Sequence, residues 1–177
     1  MPYHGLVVMA ILNEIAGRRS IRRFLPRAVE KDKLERVLEA GRLAPSAKNR
    51  QEWRFVVLQR PAAREKVKEA AFGEEKVAQA PVIIALCTTN VDYQMPNGQP
   101  SYPIDLAFAA AFMTLQAQAE GLGTCCLSTY DETAVAELIG LPFSMRVVLL
   151  LLLGYPAEVP EPTPRKPLKR IVGHEHW

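Results

Sequence analysis

The chain has 177 residues, 49% hydrophobic and 23% charged, the size and balance of one globular domain with a real core, which excludes disordered and fibrous classes. Its formal net charge of +3 is too mild for a dedicated nucleic-acid binder, and the excess gathers in two local patches, residues 18–27 and 165–170. Three cysteines, Cys87, Cys125 and Cys126, form neither a disulfide framework nor a zinc pattern and read as small buried hydrophobes in a reducing compartment.

The apolar start, residues 1–16, is too short to span a bilayer and lacks the basic region of a signal peptide, so a cytoplasmic location and no membrane contact are expected. Residues 9–17 have helical spacing, with Ile11, Leu12 and Ile15 able to share a face. A basic cluster follows, and Leu25-Pro26 breaks the chain. Residues 29–43 predict an amphipathic helix with Leu34, Val37, Leu38 and Leu43 near one stripe, stopped by Pro45. A first strand is expected over 53–59, a charged surface helix over 61–71, and a shorter helical turn over 74–80 ended by Pro81. Residues 82–87 are apolar on both faces and read as a central strand. Residues 88–103, rich in proline and holding Asn97-Gly98, read as a long structureless loop of the kind that serves as a lid or binding loop.

The helix over 104–121 is apolar on every face from Leu106 to Met113, which predicts burial all round, as a central helix or in a subunit interface. Gly121 and Gly123 close it. A third strand is expected over 124–129, then a helix capped by Asp131 and running to Gly140, then an apolar fourth strand over 147–154. The proline-rich tail, 155–177, should be extended, and its His174-Glu175-His176 reads as exposed rather than as a metal site. Strands separated by helices give an α/β or α+β domain over 1–177.

Two stretches could carry chemistry. In Arg18-Arg19-Ser20-Ile21-Arg22-Arg23-Phe24, arginine offers the forked, charge-assisted donors that hold phosphate, and in an extended segment Arg18, Ser20 and Arg22 point to one side. The alternative is a solvated basic loop at a helix end. In Ala44-Pro45-Ser46-Ala47-Lys48-Asn49-Arg50-Gln51-Glu52-Trp53, the amides can read the edge of a heterocycle while small residues keep the backbone close. The alternative there is an ordinary helix-to-strand turn. Together they point to a phosphorylated, planar cofactor.

With these two stretches in this order, and with Gly121-Leu122-Gly123-Thr124-Cys125-Cys126, Leu153-Gly154-Tyr155-Pro156 and Pro164-Arg165-Lys166-Pro167-Leu168 after them, the chain resembles the nitroreductase family of FMN-dependent oxidoreductases along nearly its whole length. The resemblance implies an α+β fold, a central and mostly antiparallel sheet flanked by helices, in an intertwined homodimer with two FMN molecules at the interface. By position, Arg18, Arg19, Ser20 and Arg22 would meet the phosphate, ribityl chain and pyrimidine edge. Pro45, Ser46, Ala47, Asn49 and Gln51 would come from the other subunit. Leu127 and Ser128 would approach the ring through backbone groups, and Arg165 and Lys166 would return to the phosphate. Two departures stand out. Glu52 occupies a position where proline is common in the family it resembles, and the neighbourhood Phe72-Gly73-Glu74-Glu75-Lys76 lacks the usual amide, for which Lys76 is a partial substitute.

The resemblance implies ping-pong electron transfer from NADH or NADPH to a small electron-poor acceptor, a nitroaromatic or a quinone, with no catalytic side chain required. The competing readings are another flavin reaction on the same fold (dehydrogenation or dehalogenation), a flavin-binding sensor or reservoir, and a basic nucleic-acid module. The last lacks any visible helix-turn-helix or aromatic platform.

Overall fold

A strand that is apolar on both faces must be covered on both, and two such strands set this architecture. In the computed structural model, which describes residues 11–176, they are β2 (Val82–Thr88) and β4 (Arg146–Gly154). They pair at the centre of a four-stranded, wholly antiparallel sheet of order β1-β2-β4-β3, with β1 (Trp53–Leu58) and β3 (Gly123–Leu127) at the edges. The period of two sorts the side chains. Ile83, Ala85, Cys87, Leu150 and Leu152 enter one core, and Val82, Ile84, Leu86, Leu151 and Leu153 the other. The first core is closed by α3 (Pro61–Ala70), α4 (Glu75–Gln79) and α6 (Glu132–Ile139), the second by α2 (Lys31–Arg42) and α5 (Tyr102–Ala119). The expected α+β fold is the one observed.

Local differences have physical reasons. The helix expected over 9–17 is only α1 (Asn13–Gly17) among the described residues, and Met9 and Ala10 lie outside them. Leu43 caps α2 and is 61% exposed, off the buried stripe, because Gly41 takes the inner position. A Cβ on Gly41 would collide with Met113, so α2 and α5 approach closely there. The loop after β2 is not structureless: Gln94 and Pro100 form an antiparallel bridge around a turn in which the Gly98 N–H donates to Met95 O at 2.8 Å. The tail is extended apart from one helical turn at Leu168–Arg170.

Within the single chain α5 is covered on one face only, so it is not a fully enclosed central helix. Leu106, Ala109, Ala110, Met113 and Ala117 are buried, but Ile104, Phe108 and Phe112 are 37%, 46% and 39% exposed. With Ala107 and Ala111 they form a continuous outer stripe at helical spacing. Apolar composition marks both faces alike; only one meets the protomer's own sheet.

The exit of β4 is tied to the start of α2. The Tyr155 hydroxyl donates to Glu30 Oε2 at 2.6 Å, Arg27 Nη2 donates to Glu30 Oε1 at 2.7 Å, and the Arg27 guanidinium lies 3.9 Å over the Tyr155 ring. The Tyr155 bond, seconded by Glu30's own backbone and by Arg27, holds the carboxyl down at about 2 from an ordinary 4.5. A lowered folded value means that the contribution is present above pH 4.5 and is lost as pH falls toward 2. Glu30→Gln should therefore lower the urea midpoint modestly at neutral pH, as exposed pairs do, and the gap from wild type should close between pH 4.5 and 2.

Candidate functional site

The segment after α1 is extended because it lies on β3. Ser20 bridges Thr124 in parallel, the Ile21 N–H donates to Thr124 O at 2.9 Å, and Ile21 and Phe24 are buried. A side chain at Gly123 would collide with Ile21, so glycine at the strand entry is what admits the segment. With Ile21 turned inward, Arg18, Arg19, Ser20 and Arg22 line a cavity of about 320 Å³. The tail forms the opposite rim through residues 160–163 and Arg165.

The arginines are not equivalent. Arg19 Nη1 donates to Ala16 O and Arg18 O, each at 2.9 Å, so it closes the end of α1. Arg23 pairs with Glu158 at 3.2 Å, outside the cavity. Among the described residues, Arg18, Arg22 and Arg165 have no acidic partner within ion-pair distance. Three uncommitted guanidiniums and the Ser20 hydroxyl around one cavity fit a phosphate. Glu161 and Thr163, on the rim, were not singled out in the sequence; only the tail's return over β3 brings them there.

The second stretch stands elsewhere. The Ser46 hydroxyl accepts the Gln51 N–H at 3.0 Å, and Asp105 Oδ1, from the first turn of α5, accepts the Ala47 N–H at 2.9 Å. Lys48, Asn49 and Gln51 have φ of 51°, 55° and 52°, three left-handed non-glycine residues interrupted by right-handed Arg50 and costing of order 1 kcal/mol each, as is met at ligand sites. Pro45, Asn49 and Gln51 are exposed. None of Pro45, Ser46, Ala47, Asn49 and Gln51 lines the arginine cavity. Within one chain the two walls sit at opposite ends of α5: the turn at Asp105, and α1 beside Gln118. That separation is roughly 20 Å along the helix.

Lys76 bonds Glu74 at 2.7 Å and lies outside the cavity. Its charge and that of Arg22 both act on Cys125, whose thiol burial pushes above the ordinary 9.0. Cys125 is therefore a protonated core group, and Cys126 points to the other face of β3. Leu127 is the buried last residue of β3. Ser128, just beyond the strand, borders a separate cavity of about 300 Å³ with Tyr102, Tyr130 and the Arg146–Glu132 pair. Lys166 lies on the exposed tail outside both cavities.

Known proteins match this chain along most of its length. The family model for the nitroreductase family matches residues 15–83 and 72–155. A Thermus thermophilus protein named NADH dehydrogenase is 34% identical, with 88% of this chain and 91% of that one covered. A Bacillus subtilis protein named FMN reductase [NAD(P)H] is 26% identical over 93% of this chain and 73% of that one. The crystal structure of a nitroreductase family protein from Clostridium difficile 630 superposes with a TM-score of 0.85 at 30% identity, covering 94% and 99% of the two chains. From Ile15 to Tyr155, through the arginine segment, the left-handed turn and the glycine entry to β3, this chain belongs to the nitroreductase family.

Proposed function

We propose that the chain is an FMN-dependent NAD(P)H oxidoreductase, acting as a cytoplasmic homodimer on small electron-poor acceptors such as nitroaromatics or quinones. The observation that carries this reading is the cavity ringed by Arg18, Arg22, Arg165 and Ser20, an anion site in a fold whose Bacillus subtilis relative is named an FMN reductase. FMN, when bound, supplies a two-electron carrier between a nicotinamide donor and the acceptor. The chain's own residues would bind and orient it: the Arg18, Arg22 and Arg165 guanidiniums would hold the phosphate, Ser20 would donate beside them, and Leu127 and Ser128 would offer backbone groups to the ring. No side chain is required as general acid.

The dimer is supported by the same geometry. The outer stripe of α5 is apolar and lies between two half-sites. Two copies packed antiparallel on that stripe about a two-fold axis would bring the 46–51 turn of one against the arginine wall of the other. The exposed tail would then have a second body to lie on. Among the described residues no helix is long and apolar enough to cross a membrane.

Stopped-flow mixing of the purified protein with NADH and with NADPH should bleach a flavin absorbance, which a quinone then restores. A colourless protein that takes up no added FMN would overturn the reading.

A further inference from the structure

A carboxylate is costly to bury, and Glu52 is a carboxylate only 19% exposed. Its Oε1 accepts Arg50 Nη2 at 2.8 Å and Asn90 Nδ2 at 3.0 Å, while Oε2 is buried with no hydrogen-bond partner among the described residues. The Arg50 hydrogen bond outweighs burial and holds the carboxyl below its ordinary 4.5, so the group stays charged at neutral pH. Its two partners belong to different parts of the site. Arg50 lies within the left-handed turn; Asn90 opens the loop between β2 and α5.

Asn90 passes the constraint on. Its Oδ1 accepts the N–H groups of Asp92 and Tyr93 at 2.9 and 3.0 Å, which folds the first turn of the loop. The Tyr93 ring then lies 4.3 Å from the Arg50 guanidinium and 5.8 Å from the Lys48 ammonium. The backbone adds a bond from the Thr89 N–H to Glu52 O at 2.9 Å. One largely covered charge thus joins the 46–51 turn and the loop between β2 and α5.

We propose that Glu52 is a positioning residue for acceptor specificity: by holding Arg50 and Asn90 together it fixes Tyr93 and the loop after β2 against the 46–51 turn, where that loop would meet the acceptor. This inference rests on the flavin-oxidoreductase reading above.

The test compares wild type with Glu52→Ala, Glu52→Gln, Tyr93→Leu and Tyr93→Phe as FMN-loaded proteins. Glu52→Ala and Tyr93→Leu should raise KM for a quinone acceptor about five- to tenfold, the scale of one ordinary net hydrogen bond. The rate of flavin reduction by NADH and the bound flavin content should stay within about twofold of wild type. Glu52→Gln, which keeps an oxygen acceptor, and Tyr93→Phe, which keeps the ring, should restore most of the acceptor KM. Hydrogen exchange at the Asp92 and Tyr93 amides should quicken about tenfold in Glu52→Ala and much less in Glu52→Gln, a readout that needs no flavin. Unchanged acceptor KM in Glu52→Ala would overturn the inference, as would equal losses in both half-reactions and in flavin content. A wild-type protein that binds no FMN would instead overturn the parent reading, while the exchange experiment still reports on the clamp.

Discussion

Arg18→Ala should weaken FMN binding about 30- to 150-fold, from the roughly 2–3 kcal/mol of a charge-assisted bond to phosphate. Arg18 lines the cavity beside Ser20, and among the described residues no acid, Glu161 on the rim included, lies within ion-pair distance of it. A sequence-level reading treats the four clustered arginines alike, and the geometry separates them. Arg23→Ala should leave the affinity within about twofold, because Arg23 is exposed and paired with Glu158. Arg19→Ala should fall between, since its guanidinium is committed to the carbonyls of Ala16 and Arg18 and acts by shaping the segment. Fluorescence titration of flavin-free protein measures all three, and repeating it at higher salt should shrink the Arg18 effect, as screening requires. Equal losses at Arg18 and Arg23 would mean that the cluster acts only through its summed charge, and the phosphate would have to lie elsewhere.

That ranking shows where sequence reading reaches and where it stops. The two-sided apolar runs at β2 and β4 announce central strands because nothing but a covered position tolerates them. The arginine segment is legible because Arg18, Ser20 and Arg22 alternate with Ile21, and strand periodicity turns one set out and the other in. Partnership over long sequence distance is not legible: Glu158 neutralises Arg23 from the far end of the chain, and the Pro160–Pro162 stretch reaches the cavity only after β4 and the tail are in place. Nor do the residue types announce the left-handed backbone of Lys48 and Gln51, although Asn49 is a type that favours it. The conformation follows from Ser46 and Asp105, two acceptors that capture the turn's N–H groups. Asp105 was the missed signal, an acid in the first turn of an otherwise apolar helix. The outer face of α5 is open in the single chain for a related reason. An all-apolar helix states that every face is covered, but not by which chain.

Placing a charge on the outer stripe of α5 tests that last point with the largest effect. Ala111 lies on the exposed face, between Phe108 and Phe112 on one side and Ala107 on the other. In a two-fold interface one substitution appears twice, and each buried, unpaired carboxylate costs several kcal/mol. Ala111→Glu should therefore raise the dimer dissociation constant by at least about a thousandfold. The side chain faces solvent in the isolated protomer, so the far-UV circular dichroism should hardly change. Light scattering after gel filtration should give the mass of one chain. If the arginine wall of one copy closes against the 46–51 turn of the other, the monomer should also release FMN, although every residue lining the arginine cavity is intact. Phe143→Glu is the control, because Phe143 is fully exposed and off the stripe, and it should alter neither mass nor flavin content. A dimeric Ala111→Glu protein would remove α5 from the interface. A monomer that keeps its flavin would leave the interface standing and refute the shared site. The two claims are thus separable by measuring mass and absorbance on one sample, and only loss of both together supports a flavin held between two chains.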